Sequence, residues 1–380
     1  MENNNNLWDG LPRPFFALAP MYDVTDAAFR QMFAKYSKED VNKTVRSWTS
    51  RSSEVQLRTV PLVLFTEFVS ADGLASEEGR SKLLCELYFV SAEQPIVAQI
   101  FGAKPETIKI AVKIIKDLGF AGVDINMGCP DRAVEKQGAG SALIKNPRLA
   151  QKIILAAKEV AGEMPVSVKT RIGYNKIDTE NWARTILETR PSAVTFHLRT
   201  RKEMSKAEAH WEEAEILGRL GREYGIPIIC NGDVTSVEEG QKLAEKYKIA
   251  GVMIGRGAFG KPWLFANLAQ AKLGCQIERP PKPCAKADNL TPEPDLETRL
   301  HIMLEHTRLF EELYLLGPTN GKLFAGHTKN FAVMRKHFKA YVNGFKGATA
   351  LRAKLMTANN SDEVALIIND FLLTKVSKSG

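Results

Sequence analysis

Eight short apolar runs, each ending at a polar or conformationally special residue, constrain this chain more than any other feature of its sequence. The runs are Phe15–Ala19, Leu62–Thr66, Ile96–Ile100, Gly122–Ile125, Pro165–Val168, Ala193–Phe196, Pro227–Cys230 and Gly251–Ile254. Most are continuous rather than alternating, the pattern of parallel strands buried on both faces. At their ends stand Pro20, Glu67, Gln99, Asn126, Lys169, His197, Asn231 and Gly255. Stretches of helical period lie between them. Pro105–Leu118 sets Ile108, Ala111, Val112, Ile115 and Leu118 on one face, and Pro147–Ala161 opens with a proline suited to a first helical turn.

Strand and helix signals alternating from Phe15 to about Gln270 predict an α/β fold, a (β/α)8 TIM barrel. An open, doubly wound sheet would spread the polar strand ends along an edge. A barrel gathers them on one face, where active sites are built. Beyond the barrel, helical periodicity returns at Leu296–Leu316, Thr328–Val342 and Asp362–Lys375. The predicted organisation is a disordered tail (1–14), a barrel catalytic domain (15–272), a Pro-rich linker (273–295) and a small C-terminal all-helical domain (296–380). A polar, basic insertion at 31–60 interrupts the barrel.

Composition excludes several classes. With 44% hydrophobic and 25% charged residues among 380, the chain can bury a sizeable core. No apolar run approaches the roughly 20 residues that span a bilayer. The Asn-rich amino terminus has neither the basic nor the apolar region of a secretory signal. Five cysteines without a C-x-x-C pair fit neither a disulfide framework nor a zinc ribbon, so a reducing cytoplasm and no bound metal are expected, for a monomer. The net charge of +8 is unevenly placed. Between Glu312 and Asp362 there is no acid, while Lys322, Lys329, Arg335, Lys336, Lys339, Lys346, Arg352 and Lys354 fall within that span. Such a run predicts a polyanionic partner.

Three groups of residues carry chemistry. Asn231-Gly232-Asp233 after the seventh strand and Gly255-Arg256-Gly257 after the eighth stand where barrels bind phosphate, and glycines let backbone N–H groups approach it. Asn126-Met127-Gly128-Cys129-Pro130 presents a thiol on the fourth strand's loop, a nucleophile or a general acid. Lys169 and His197 close strands five and six, a cation for an anionic ring or phosphate and a donor for a ring carbonyl. Gln99 and the Pro20-Met21-Tyr22 turn complete a surround for a flat heterocycle. Polar donors around a barrel mouth with a phosphate site suggest flavin mononucleotide, FMN.

Ala19–Asp26, Thr66–Gly73 and Asp124–Pro130 resemble the tRNA-dihydrouridine synthases, as do Val168–Thr170, His197–Arg201, Asn231–Asp233, Gly255–Phe265 and Arg335-Lys336-His337. The resemblance spans nearly the whole chain. It implies a flavin barrel followed by a helical tRNA-binding domain, with NADPH as hydride donor. By motif, Cys129 would protonate C5 of a uracil while hydride reaches C6. FMN would be bound by Pro20, Met21, Tyr22, Gln99, Lys169, His197, Asn231, Gly232, Asp233, Gly255 and Arg256. The tRNA would be met by Asn126, Arg199, Arg335, Lys336 and Lys339. Tyr22-Asp23 and Leu198 depart from the family's usual Ala-Gly and Gly, and 31–60 is longer than its usual connection. Two rival readings are an FMN barrel oxidoreductase acting on a small molecule and an inactive RNA-binding barrel. The first has no use for a basic helical domain, and the second none for the thiol, lysine and phosphate loops together.

Overall fold

The apolar runs become strands because barrel closure covers both of their faces. In the computed structural model of the chain, residues 6–39, 62–266, 294–315 and 329–376 are described. The strands are β1 (Phe15–Leu18), β2 (Leu62–Ser70), β3 (Ile96–Phe101), β4 (Gly122–Met127), β5 (Val166–Arg171), β6 (Ala193–His197), β7 (Ile228–Asn231) and β8 (Gly251–Ile254). Each pairs in parallel with the next, and β8 pairs with β1 to close the barrel expected from the sequence. Several strands outlast their apolar runs. Glu67, Asn126, Lys169 and His197 therefore lie within the strands, near their carboxyl ends, rather than in loops, as does Gln99 inside its own run. Between β2 and β3 the register shifts at Phe65/Phe68, and there the Gln99 amide donates to Thr66 Oγ1 (3.0 Å).

The described part of the expected disordered tail is ordered. Trp8 is buried, its ring 5.8 Å from Phe15 and 6.2 Å from Phe65. It packs in one cluster with the barrel-interior residues Val63, Val97, Ile229 and Met253, and burying an indole of this size outweighs the polarity of the preceding Asn run.

The chain divides into two compact units, Met1–Asp26 with Val60–Gly257, and Ala27–Thr59 with Ala258–Gly380. The first is the barrel. The second departs from the expected boundaries, because the helix Ala27–Phe33 belongs with the C-terminal helices. The Ala27 amide donates to Tyr314 Oη (3.1 Å), and the Phe29 ring lies 5.8 Å from His306 and 5.3 Å from His337. The start of the expected insertion continues this helix as a π-helix, Ala34–Glu39, held by Glu305 through Lys35 and Tyr36. The remainder of the insertion (40–60) and most of the linker, with Cys275 and Cys284, lie outside the described residues.

The second unit also holds Leu296–Tyr314, Met334–Tyr341 and Ser361–Val376, close to the periodic stretches of the sequence. A further helix, Ala348–Leu355, escapes periodicity because only Ala348, Leu351 and Leu355 of its short, alanine-rich run are buried. Among the described residues no helix is long and apolar enough to cross a membrane.

Candidate active site

Parallel strands deliver their carboxyl ends to one face, and there the barrel opens a cavity of about 480 Å³. Its wall contains Pro20 and Met21 after β1, Lys169 of β5, His197 and Arg199 from β6, Asn231-Gly232-Asp233 at β7, and Gly255-Arg256-Gly257 after β8. Two expected cofactor residues lie outside that lining. Tyr22 is 64% exposed with its ring 5.5 Å from that of Phe68, and Gln99 is fully buried.

The glycine-bearing loops are held tightly. Gly232 has φ +150°, and a Cβ there would lie 2.6 Å from that of Ala209, so no larger residue fits. Trp211 Nε1 donates to the Gly232 carbonyl (2.9 Å). Asp233, itself at φ 57°, accepts from Arg199, from Arg256 Nη2 (2.6 Å) and from the Ala209 amide (3.0 Å). Burial works to raise its pKa, but the Arg199 and Ala209 contacts prevail and lower it. Two guanidiniums thus share one carboxylate, leaving net positive charge beside the glycines. Arg199, expected to meet substrate, is nearly fully buried among Asp233, the Ala207 carbonyl (2.7 Å) and His197 Nε2 (3.1 Å). Since an arginine only donates, His197 Nε2 accepts and the ring proton sits on Nδ1. Burial, with Arg171 and Lys169 nearby, holds this imidazole neutral, its pKa well below the ordinary histidine range.

Lys169 is the unmatched charge of the site. Burial, with Arg171 adding repulsion, pulls its pKa down to about 8 against the attraction of Asp124. Its side chain makes no hydrogen bond among the described residues. Asp124, fully buried, accepts from Ser167 Oγ (2.6 Å) and Gln99 Nε2 (2.7 Å). Burial still raises its pKa to about 6. Gln99 Oε1 then takes the Asn126 amide (3.0 Å), and Asn126 Oδ1 accepts from the backbone N–H groups of Gly128 (3.1 Å) and Cys129 (2.9 Å). Gln99 and Asn126, expected at cofactor and substrate, are thereby committed to the framework that aims the loop after β4.

Cys129 stands on that loop and is not part of the cavity lining; it packs with Phe101, Val134 and Ala139. Gly128 lets the loop pass the backbone of β5, since a Cβ would come within 3.2 Å of Thr170 Cα. Burial raises the Cys129 pKa, opposed by a backbone hydrogen bond from Asp131 and by Arg171 and Lys169, so the thiol keeps its proton at neutral pH. Arg171 clamps the loop from β5: Nε donates to the Gly128 carbonyl (2.8 Å) and Nη1 to the carbonyls of Met204 (2.9 Å) and Thr200 (3.1 Å). Sequence reasoning passes over Arg171, although two-residue strand periodicity sets it on the same face as Lys169. It also misses Trp211, whose role depends on a loop contact that no local pattern announces.

In the helical unit, Arg335, Lys336 and Lys339 share the helix Met334–Tyr341. Lys339 is exposed, Lys336 half-buried, and Arg335 half-buried with a buried Nε that has no hydrogen-bond partner among the described residues. Phe331 and Phe338, 6.3 Å apart, are core residues, and Tyr341 is buried with them, so none of the three stands among the cations at the surface. Lys354 pairs with Asp370 (2.8 Å) and Arg352 binds the Val342 carbonyl (2.8 Å), which removes both from the free charge of the acid-free run. Lys322 lies outside the described residues.

Known proteins give this geometry its family. The sequence profile of the dihydrouridine synthase family matches residues 17–377. A probable tRNA-dihydrouridine synthase of Staphylococcus aureus (strain COL) is 37% identical over 369 residues, covering 96% of this chain and 95% of that protein. Probable tRNA-dihydrouridine synthase 2 of Bacillus subtilis (strain 168) is also 37% identical, covering 96% of both chains. The chain belongs to the dihydrouridine synthase family.

Proposed function

We propose that this chain reduces the C5–C6 double bond of a uridine in tRNA, using FMN, with NADPH as reductant and Cys129 as proton donor. The observation that carries this reading is a thiol on the loop after β4, at the same barrel mouth as a cavity whose wall holds a half-buried lysine without a side-chain hydrogen bond among the described residues. The cavity's volume falls within the ~300–1,000 Å³ usual for small-molecule sites. Its donor set suits FMN: the Asn231–Gly232 and Gly255–Arg256 loops and the Asp233-held arginines for the phosphate, Pro20, Met21 and Lys169 for the ring system. Lys169 carries the charge that favours electron density on an adjacent ring. The chemistry FMN supplies when bound is hydride delivery to C6, replenished from NADPH.

With the uracil bound, Cys129 Sγ would release its proton to C5, and the thiolate left behind would recover a proton from water. Its raised pKa keeps the acid loaded between turnovers, while Arg171 and Lys169 ease formation of the thiolate. A base paired and stacked in RNA cannot enter a barrel mouth, so the target must be splayed out of its stack. Lys336, Lys339 and Lys346 of the helical unit are proposed to hold tRNA phosphates in this cytoplasmic enzyme.

The purified protein should be yellow and release FMN on denaturation; a colourless protein that FMN cannot reconstitute rejects the reading. In Cys129→Ala, reduction by NADPH should persist, whereas reoxidation by tRNA should slow roughly 10²–10⁴-fold, the range for losing a positioned acid. Stopped-flow flavin absorbance separates the two half-reactions. Reoxidation at the wild-type rate would assign the proton to another group.

A further inference from the structure

The loop bearing Cys129 is tied to its surroundings by an ion pair that neither the cavity nor the phosphate loops require. Glu135 sits in the short helix Arg132–Lys136 that follows the thiol, and Arg201 in the segment after β6. Arg201 Nε lies 3.0 and 2.9 Å from the two Glu135 oxygens, and its Nη2 closes a second contact. The pair is mostly buried, with 12% of the Glu135 side chain and 25% of Arg201 exposed. Burial works to raise the Glu135 pKa, but Arg201, Tyr174 and Ser141 outweigh it and keep the carboxylate ionised.

From the carboxylate the connection runs straight to the thiol residue. Ser141 Oγ lies 2.9 Å from Glu135 Oε1 and 2.8 Å from the Cys129 carbonyl, which also accepts from the Ser141 amide (2.9 Å). An ionised carboxylate only accepts, so the single hydroxyl proton of Ser141 is shared between these two acceptors. Arg201 is fixed at its other end by its own amide, which donates to the Gly173 carbonyl (2.9 Å), and its guanidinium lies 5.5 Å from the Tyr174 ring. Loops after β4, β5 and β6 thus meet at one carboxylate.

Stability does not explain such a pair. Desolvating two charges roughly cancels their attraction, so a buried ion pair is on balance no better than a well-packed apolar pair. What it supplies is direction: a fork-on-carboxylate contact fixes both distance and orientation. We propose that the Glu135–Arg201 pair is a positioning clasp for Cys129, holding the thiol where its proton meets the substrate carbon. The proposal rests on Cys129 as the acid for its catalytic consequence, and on loop geometry alone for its structural one.

The test uses the flavin-loaded enzyme with Glu135→Gln and, as a second variant, Arg201→Lys, which keeps charge but loses the fork. Three quantities are read: flavin reduction by NADPH, flavin reoxidation by tRNA, and alkylation of Cys129 by iodoacetamide followed by mass spectrometry. Both variants should reduce at the wild-type rate and retain FMN. Reoxidation should slow about ten- to a hundredfold at saturating tRNA, the scale of an ångström-level misplacement. Its KM for tRNA should stay within about twofold, since a group acting on the chemical step need not alter binding. Alkylation should accelerate as the loop loosens, and Glu135→Asp should fall between wild type and Glu135→Gln. Wild-type reoxidation and wild-type alkylation in both folded variants would overturn the clasp. Altered alkylation with wild-type reoxidation would overturn its catalytic role, and if Cys129→Ala also reoxidised normally, the fault would lie in the assignment of the acid. Loss of FMN in both variants would overturn it too, by making the pair a general structural support.

Discussion

The barrel mouth and the C-terminal helical unit both bury ionisable groups, and they do so in opposite ways. At the mouth, Gln99, Asp124, Asn126 and Ser167 satisfy one another across three consecutive strands. In the helical unit, His306 Nε2 and both ring nitrogens of His337 are buried without a hydrogen-bond partner among the described residues, the two rings 4.7 Å apart. Burial pushes His306 down to about 3, and His337 well below its usual value, so both stay neutral. Register explains the contrast. Parallel pairing sets Gln99 beside Asp124, Asp124 beside Ser167 and Asn126 beside Lys169, so each polar side chain finds a neighbour one strand away. Crossing helices touch over few residues and offer no such ladder. The cations differ correspondingly: Arg171 and Arg199 are withdrawn from water and Lys169 is half-buried in the cavity wall, whereas Lys339 and Lys346 stand in solvent. A desolvated charge binds strongly at one point; solvated charges attract diffusely and yield to salt.

Among the tests of this contrast, the largest effect should come from Lys169→Met. Losing a charge-assisted interaction in the cavity wall costs about 1.5–3 kcal/mol, so FMN affinity should fall roughly 10- to 100-fold. Isothermal titration of FMN into the apoprotein at several salt concentrations would show that loss nearly independent of salt. A loss that disappears at high salt would place Lys169 among the solvated charges and break the comparison.

A smaller, salt-sensitive effect is expected from reversing Lys336, Lys339 and Lys346 to Glu together. Arg335 is left intact because its buried Nε makes it part of the helix packing. Apparent KM for tRNA should rise on the order of tenfold at moderate salt, and the log–log salt slope should flatten by about one for each phosphate that is no longer neutralised. NADPH reduction without tRNA should not change. Equal affinities and slopes would return these lysines to plain solvated surface.

The smallest effect lies between the two classes, at His210. Its ring nitrogens face Glu203 (2.8 Å) and Glu212 (3.2 Å), and the Glu203 bond raises its pKa against the opposing influence of burial. Because the folded value exceeds the unfolded one, this stabilisation is complete below the unfolded pKa and is lost as pH rises through the folded value. For a partly exposed pair the worth is ~0.2–1 kcal/mol, about a 1.4- to fivefold change in local opening. Limited proteolysis near Glu203–Glu208 should accordingly quicken slightly from mildly acidic to alkaline pH, and His210→Phe should abolish that dependence. A pH dependence that survives the substitution would assign it to another group.

Much of the barrel was legible because its evidence is local. Strand runs, the glycines of Gly232 and Gly255, and the strand-end positions of Lys169 and His197 follow from nearest-neighbour chemistry, and the structure brings them to one cavity. Other residues changed meaning. Asn126, expected at the substrate, donates its side-chain N–H to Gln99 and accepts at Oδ1 from the Cys129 loop. Asp233 reads as a phosphate partner until two arginines are found on its carboxylate. The helix Ala27–Phe33 reads as the first barrel helix, yet its buried face is matched by Tyr314, His306 and His337, far away in sequence.

By itself, then, the sequence determined which segments are strands, which loops carry glycine and thiol, and where basic charge gathers. These depend on burial period and side-chain type, which act within a few residues. Only the tertiary structure decided which polar groups are spent on one another and which are left for a ligand. Lys169 is unmatched while Arg199 is committed, and Glu135 meets Arg201 across 66 positions of chain. Hydrogen bonds of this kind depend on atoms coming within about 3 Å, a condition set by barrel register and loop closure and invisible to local pattern.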